Sequence, residues 1–148
     1  MKAHYLGHVV FYVKDLERSL AFYRDLLGFK EVGRVFNGAA AALTSGRTHH
    51  ELLLIQVGEA PPPPAGRRLG LYHIGIKVGD SLDELRAAKN ELERAGIEIG
   101  GMSDHTVSQS LYLRDPDGNE VELYVDADES VWKNNPAAAV SPIKPLRL

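Results

Sequence analysis

The chain contains no cysteine among its 148 residues. That excludes disulfides, thiolate metal sites and a cysteine nucleophile. It also lacks any apolar run approaching the ~18 residues of a membrane helix, and Met1-Lys2-Ala3-His4-Tyr5 has no signal-peptide core. No segment concentrates Lys or Arg, and the net charge is −3, so neither nucleic acid nor a membrane is expected as a partner. The expectation from these absences is a soluble, cytoplasmic protein. What is present is ordinary for a globular chain, with 44% hydrophobic and 25% charged residues. The length suffices for one domain with a real core.

The chain repeats itself. Gly7 to Gly33 reads GHVVFYVKDLERSLAFYRDLLGFKEVG. His8 to Val13 is strand-like, Asp15 suits a helix cap, and Leu16, Leu20, Tyr23 and Leu27 recur at helical spacing before Gly28. Tyr72 to Gly100 reads YHIGIKVGDSLDELRAAKNELERAGIEIG. His73 to Val78 is again strand-like, and Ser81-Leu82-Asp83-Glu84 is a capping-box signature. Leu82, Leu85, Leu92 and Ala95 form an apolar stripe, closed by Gly96.

Further strand signals lie at Lys30–Val35, Ala39–Leu43 and Glu51–Val57, then at Glu98–Gly100, Ser108–Arg114 and Glu120–Val125. Each half therefore reads β-α-β-β-β. The expected organisation is a first unit over 1–58, a linker over 59–69 stiffened by Pro61 to Pro64, a second unit over 70–126 and a tail over 127–148. The two units are expected to share a core. The Ala/Pro-rich tail is expected to wrap the surface or fray, with Trp132 as its anchor.

Each repeat places a histidine at the head of its first strand, His8 and His73, 65 positions apart. A lone strand histidine is more often a hydrogen-bonded residue than a ligand, but that reading does not account for matched placement. Glu122 adds a carboxylate in the last strand. Glu120 shares its side-chain parity but adjoins the turn, where exposure is easy, so Glu122 is preferred. Two imidazoles and one carboxylate make a facial triad suited to non-haem Fe(II), with Mn(II) also compatible.

At these residues the sequence resembles the vicinal oxygen chelate superfamily, through LGHVVFYVKDLERSLAFYRDLLGF, LYHIGIKV and LYLRDPDGNEVELY. The resemblance implies an α+β fold, in which two βαβββ repeats form an open, cupped mixed sheet around a divalent metal. Members include extradiol dioxygenases, glyoxalase I, epimerases, fosfomycin-resistance transferases and metal-free drug-binding proteins, so membership alone does not set the chemistry. The His49-His50 pair in RTHHELLLIQVG, together with His105 and Tyr112, resembles the catalytic half of type I extradiol dioxygenases. That likeness assigns proton transfer beside bound dioxygen to His50. It assigns hydrogen bonds to the catecholate or its oxygenated products to His105 and Tyr112, with His8, His73 and Glu122 as metal ligands. It implies a small aromatic substrate and O2, and Fe(II) ahead of Mn(II), Zn(II) or Ni(II). Those enzymes commonly carry four such units, whereas this chain has two. A one-domain enzyme and a homodimer that completes the pocket both remain open.

Two rivals share the fold. A glyoxalase I-like lyase needs a fourth protein ligand from the first repeat, and Glu51 is the carboxylate available. In a regular strand His50 and Glu51 face opposite ways. With His50 inward, Leu52 and Leu54 line the cavity; with Glu51 inward, Leu53 and Ile55 do. A metal-free binding protein is the third reading, and the retained triad counts against it.

Overall fold

A computed structural model describes all 148 residues. They form two units, one of 1–63 with 116–118, the other of 64–115 with 119–148. No helix is long and apolar enough to cross a membrane.

In the first unit, strand β1 (Val9–Val13) buries Phe11 and Val13 and leaves Val10 and Tyr12 exposed, the alternation of a strand covered on one face. Asp15 then accepts the Arg18 N–H at 2.8 Å and caps helix α1 (Leu16–Leu20), which buries Leu16 and Leu20. The helix widens into a π-helical stretch over Ala21–Leu26, with Leu27 N–H reaching Phe22 C=O. Phe22 and Tyr23 are both buried there, although they are adjacent in sequence. Gly28, at φ +80°, ends the helix in a left-handed conformation that suits glycine.

Strands β2 (Lys30–Val35), β3 (Ala40–Thr44) and β4 (Leu52–Gln56) complete a sheet ordered β1-β4-β3-β2, in which β1 and β4 run parallel. α1 covers the face carrying Leu52 and Leu54. The edge strand β2 carries a bulge between Glu31 and Gly33, and Arg34 pairs with Glu31 and Glu17 there. Bulges and charges of this kind discourage edge-to-edge pairing. Asp117, which groups with this unit, accepts the Lys14 N–H at 3.2 Å and pairs with Arg18.

The second unit repeats the plan. Strand β5 (His73–Gly79) leads to helix α2 (Leu82–Arg94), then to β6 (Gly101–Asp104), β7 (Ser108–Arg114) and β8 (Glu120–Asp126). The capping box is present: Ser81 Oγ accepts from Glu84 N–H, while the Glu84 carboxylate accepts from Ser81 Oγ and Asp80 N–H. The sheet order is β5-β8-β7-β6-β9, with β5 and β8 parallel. Along β8, Val121, Leu123 and Val125 are buried toward α2 while Glu120, Glu122, Tyr124 and Asp126 take the other face. Burying each such Val or Leu contributes about 1.5–3 kcal/mol.

Several expectations change. The sixth strand starts at Gly101, not Glu98, because its backbone pairs with β7 from Gly101↔Tyr112 onward. Leu82 and Ala95 stand outside the buried stripe of α2, whose inward positions are Leu85 and Leu92. In the tail, the small Ala138 is buried and Trp132 is 38% exposed. The tail forms two 3₁₀ turns, Glu129–Val131 and Pro136–Val140, and a short edge strand β9 (Lys144–Pro145) antiparallel to β6.

Candidate functional site

Strand register assembles one group of side chains in the second unit. Parallel pairing sets His73 beside Glu120 and Gly75 beside Glu122. The His73 ring therefore lies between two carboxylates: Nε2 is 3.1 Å from Glu122 Oε2, and Nδ1 is 3.7 Å from Glu120 Oε1. Nδ1 is buried without a hydrogen-bond partner, since 3.7 Å is too long. A Cβ on Gly75 would stand 3.3 Å from the Tyr124 ring, a tight approach, and 3.6 Å from Glu122 Oε2, an ordinary contact.

Antiparallel pairing places Tyr112 directly opposite Glu122, and its hydroxyl donates to Oε1 at 2.9 Å. His105 Nε2 lies 2.6 Å from the same hydroxyl. A phenol has one proton, and Tyr112 directs it at Glu122, so His105 Nε2 carries the proton of the second bond. Burial, then the bond to Glu122, pushes the Tyr112 phenol above its ordinary range. It stays protonated at neutral pH and acts as a donor.

The β6–β7 turn aims His105. Asp104 Oδ1 accepts the Thr106 N–H at 2.7 Å, and His105 N–H donates to Ser108 C=O at 2.8 Å. Thr106 sits at φ +73°, strained for a β-branched residue, as often occurs beside functional groups. His73, His105 and Tyr112 line a cavity of about 760 Å³, with Ile97 and Ile143 among its apolar walls. That volume falls within the range of small-molecule sites.

The first unit gathers imidazoles. His8 precedes β1 and His50 precedes β4, with ring centroids 4.7 Å apart. The Nδ1 atoms of His49 and His50 are 2.6 Å apart. Partial burial, then the charges of His49 and His8, push the His50 pKa below its usual value, which favours the neutral ring, a proton acceptor.

Glu51 is occupied elsewhere. Its carboxylate accepts from Thr44 Oγ1 at 2.9 Å, Ser45 N–H at 2.9 Å and Ser45 Oγ at 2.7 Å, with Arg47 at 3.5 Å. Burial opposes ionisation of Glu51, but these hydrogen bonds and Arg47 hold its carboxyl below the usual range. Backbone pairing reaches Glu51, whose N–H donates to Leu43 C=O and whose C=O accepts from Val9 N–H, so Glu51 shares the face of Leu53 and Ile55. The expectation that Leu52 and Leu54 line a cavity with His50 is overturned by their burial against α1. Leu52 and Leu54 are buried and Leu53 and Ile55 half-buried, yet His50 still reaches His8 from the irregular segment before the strand. Comparing the two repeats takes this further. Gly75↔Glu122 in the second corresponds to Val10↔Leu53 in the first. The first-repeat counterpart of Glu122 is thus Leu53, and Glu51 corresponds to Glu120.

Of the residues expected at the site, the second unit joins His73, Glu122, Tyr112 and His105, and the first joins His8 and His50. No group of three or more acidic, histidine or cysteine side chains forms a ready metal cluster. One pair of donor atoms in the second unit nevertheless has a separation compatible with a shared divalent ion. Two ligand atoms bound to one ion at about 2.1 Å and a right angle stand about 3 Å apart, and His73 Nε2 and Glu122 Oε2 have that separation. Glu120 is not the solvent-facing residue expected: its side chain is 17% exposed, bonded to Tyr72 and 3.6 Å from Arg114. Sequence reasoning did not single out Gly75 or Ile143. A glycine between His73 and Lys77 in a strand was a signal for the first; nothing local marked the second.

Known proteins resemble this chain in sequence and fold. A catechol-2,3-dioxygenase of Bacillus subtilis (strain 168) is 37% identical over 131 residues, 88% of this chain and 45% of that protein. A biphenyl-2,3-diol 1,2-dioxygenase 3 of Rhodococcus globerulus is 34% identical over 125 residues, 82% of this chain and 63% of that protein. The chain thus spans less than two thirds of the length of either. A crystal structure of a glyoxalase/dioxygenase from Nostoc punctiforme matches with a TM-score of 0.72, covering 84% of this chain and 92% of the other at 22% identity, a likeness of fold alone. The profile of the Glyoxalase/Bleomycin resistance protein/Dioxygenase superfamily matches residues 5–123. That match spans both repeats and all six candidate residues, and the chain belongs to this superfamily.

Proposed function

We propose that the chain is an extradiol dioxygenase that opens a catechol-type ring with O2. The observation that carries this reading is the hydrogen-bonded run His105–Tyr112–Glu122 beside His73 on one sheet face. His8, His73 and Glu122 would hold Fe(II), which supplies a common binding point for the substrate's oxygens and dioxygen and the electron transfer between them. The reaction adds both oxygen atoms of O2 to the substrate and breaks a ring C–C bond beside a hydroxyl, giving a muconic semialdehyde-type product. His50, favoured as the neutral ring, takes a proton from the substrate hydroxyl. Tyr112, kept protonated, turns its hydroxyl from Glu122 to donate where anionic oxygen develops, and His105 returns a proton as the ring opens.

The rival lyase chemistry wants a carboxylate where the first repeat has Leu53, and Glu51 is tied into its own loop. The names of the two curated relatives, a catechol and a biphenyl-diol dioxygenase, support an aromatic diol as substrate. The test is oxygen uptake by anaerobically Fe(II)-loaded protein over a catechol panel, with methylglyoxal–glutathione hemithioacetal assayed in parallel. Oxygen uptake with a yellow product is expected. Hemithioacetal turnover without oxygen uptake would replace this reading with the lyase.

A further inference from the structure

Ile143 is a large apolar side chain left 64% exposed on the C-terminal tail, and it lines the same cavity as His73, His105 and Tyr112. Its position follows from backbone pairing. Strand β9 joins the edge of the sheet through Ser103↔Pro145 and Asp104↔Lys144. The attachment point is therefore the end of β6 from which the chain turns to present His105. The Lys144 charge also helps to hold the Asp104 carboxyl low, after the Thr106 and Gln109 hydrogen bonds. Ile97, in the segment after α2, supplies a second apolar wall. Polar and ionisable groups thus share the cavity with two isoleucines. At about 760 Å³ the cavity is several times larger than one catechol ring, which occupies on the order of 100 Å³ (about eight heavy atoms at close-packed density).

We propose that the tail segment 141–148 is a strap that builds the substituent subsite of the cavity, with Ile143 selecting catechols that carry an apolar ring substituent. The diol end of such a substrate lies toward His73 and Tyr112, and the substituent covers Ile143 and Ile97. This rests on the dioxygenase reading for the diol end. Ile143 takes no part in the proton transfers and acts as a specificity residue.

The test uses the full-length chain with Ile143→Ala and Ile143→Trp. Both variants should fold, because the side chain is mostly in solvent, and thermal melting checks this. Anaerobic calorimetry measures binding of catechol and 2,3-dihydroxybiphenyl to the Fe(II)-loaded and metal-free proteins, and kcat/KM is measured for the same pair. Ile143→Ala is expected to weaken 2,3-dihydroxybiphenyl about tenfold, in binding and in KM rather than kcat, while catechol changes less than about twofold. Ile143→Trp should exclude the biaryl and spare catechol. Equal shifts for both ligands, or no shift for either, would overturn the strap as a selector and leave the dioxygenase reading standing. Ile143-dependent biaryl binding without turnover by the wild type would support the strap and overturn the reaction. Failure of the wild type to bind either diol would overturn both.

Discussion

The two repeats share a register and differ in what they place on it. At the head of the parallel strand pair, both have a histidine followed two residues later by an equivalent register position, Val10 in one and Gly75 in the other. Opposite that position stands Leu53 in the first repeat and Glu122 in the second. One repeat offers imidazoles, His8 with His50 at 4.7 Å, and an apolar wall. The other carries the carboxylate, with a tyrosine and a second histidine bonded behind it. The two repeats present the same backbone geometry, and one register position holds a leucine in the first and a carboxylate in the second.

The largest test of that difference is Glu122→Ala. Metal retention should be lost, as it should in His73→Ala and His8→Ala; normal occupancy in any of the three, by elemental analysis, removes that residue from the ligand set. Next come the proton-handling groups. Tyr112→Phe and His50→Ala should each retain metal and lower kcat by about a hundredfold; wild-type rates in His50→Ala would contradict its role as base. Leu53→Glu sharpens the comparison directly. It gives the first repeat the carboxylate of the second, so divalent-metal affinity should rise and oxygen uptake should fall as an open coordination position fills. Unchanged affinity would mean that the two register positions do not face equivalent sites.

Smaller effects are expected in the supporting loops. Ser45→Ala removes one partner of Glu51 and should cost about 1 kcal/mol of stability while metal occupancy is unchanged; a loss of metal would implicate Glu51 in the site. Asp104 contributes through pH. Its folded-state pKa is depressed, first by the Thr106 N–H, so the folded form binds fewer protons than the unfolded one. The contribution is full above the unfolded value of about 3.9 and is lost as pH falls through the lower folded value. Melting of Asp104→Asn should therefore lose less stability than wild type below about pH 4. An identical acid slope would show that Asp104 does not contribute.

Much of this was legible along the chain. Local chemistry marked the capping box at Ser81 and Glu84, the stop at Gly28, and the bounds of β2 and β7. The matched histidines drew attention to the site residues because they sit at the same place in two copies of one pattern. Other features were not local. Gly101-Met102-Ser103-Asp104 has little strand character and becomes β6 only because β7 offers it a ladder. The same holds for Lys144-Pro145, whose pairing with β6 places Ile143 at the cavity. The placement of His50 and Glu51 also escaped periodicity, since Glu51 shares the face of Leu53 and Ile55 but turns its carboxylate to Thr44 and Ser45, while His50, just outside the ladder, reaches His8.

The sequence by itself determined the repeated strand–helix–strand order of the two units and the helix caps, because those follow from side-chain period, caps and turn residues within a few positions. Tertiary structure alone decided which residues meet. Register set His73 between two carboxylates and Tyr112 opposite Glu122, and hydrogen bonds from Thr44 and Ser45 engage the Glu51 carboxylate in its own loop. Such pairings depend on backbone ladders and loop contacts between positions that local pattern does not connect.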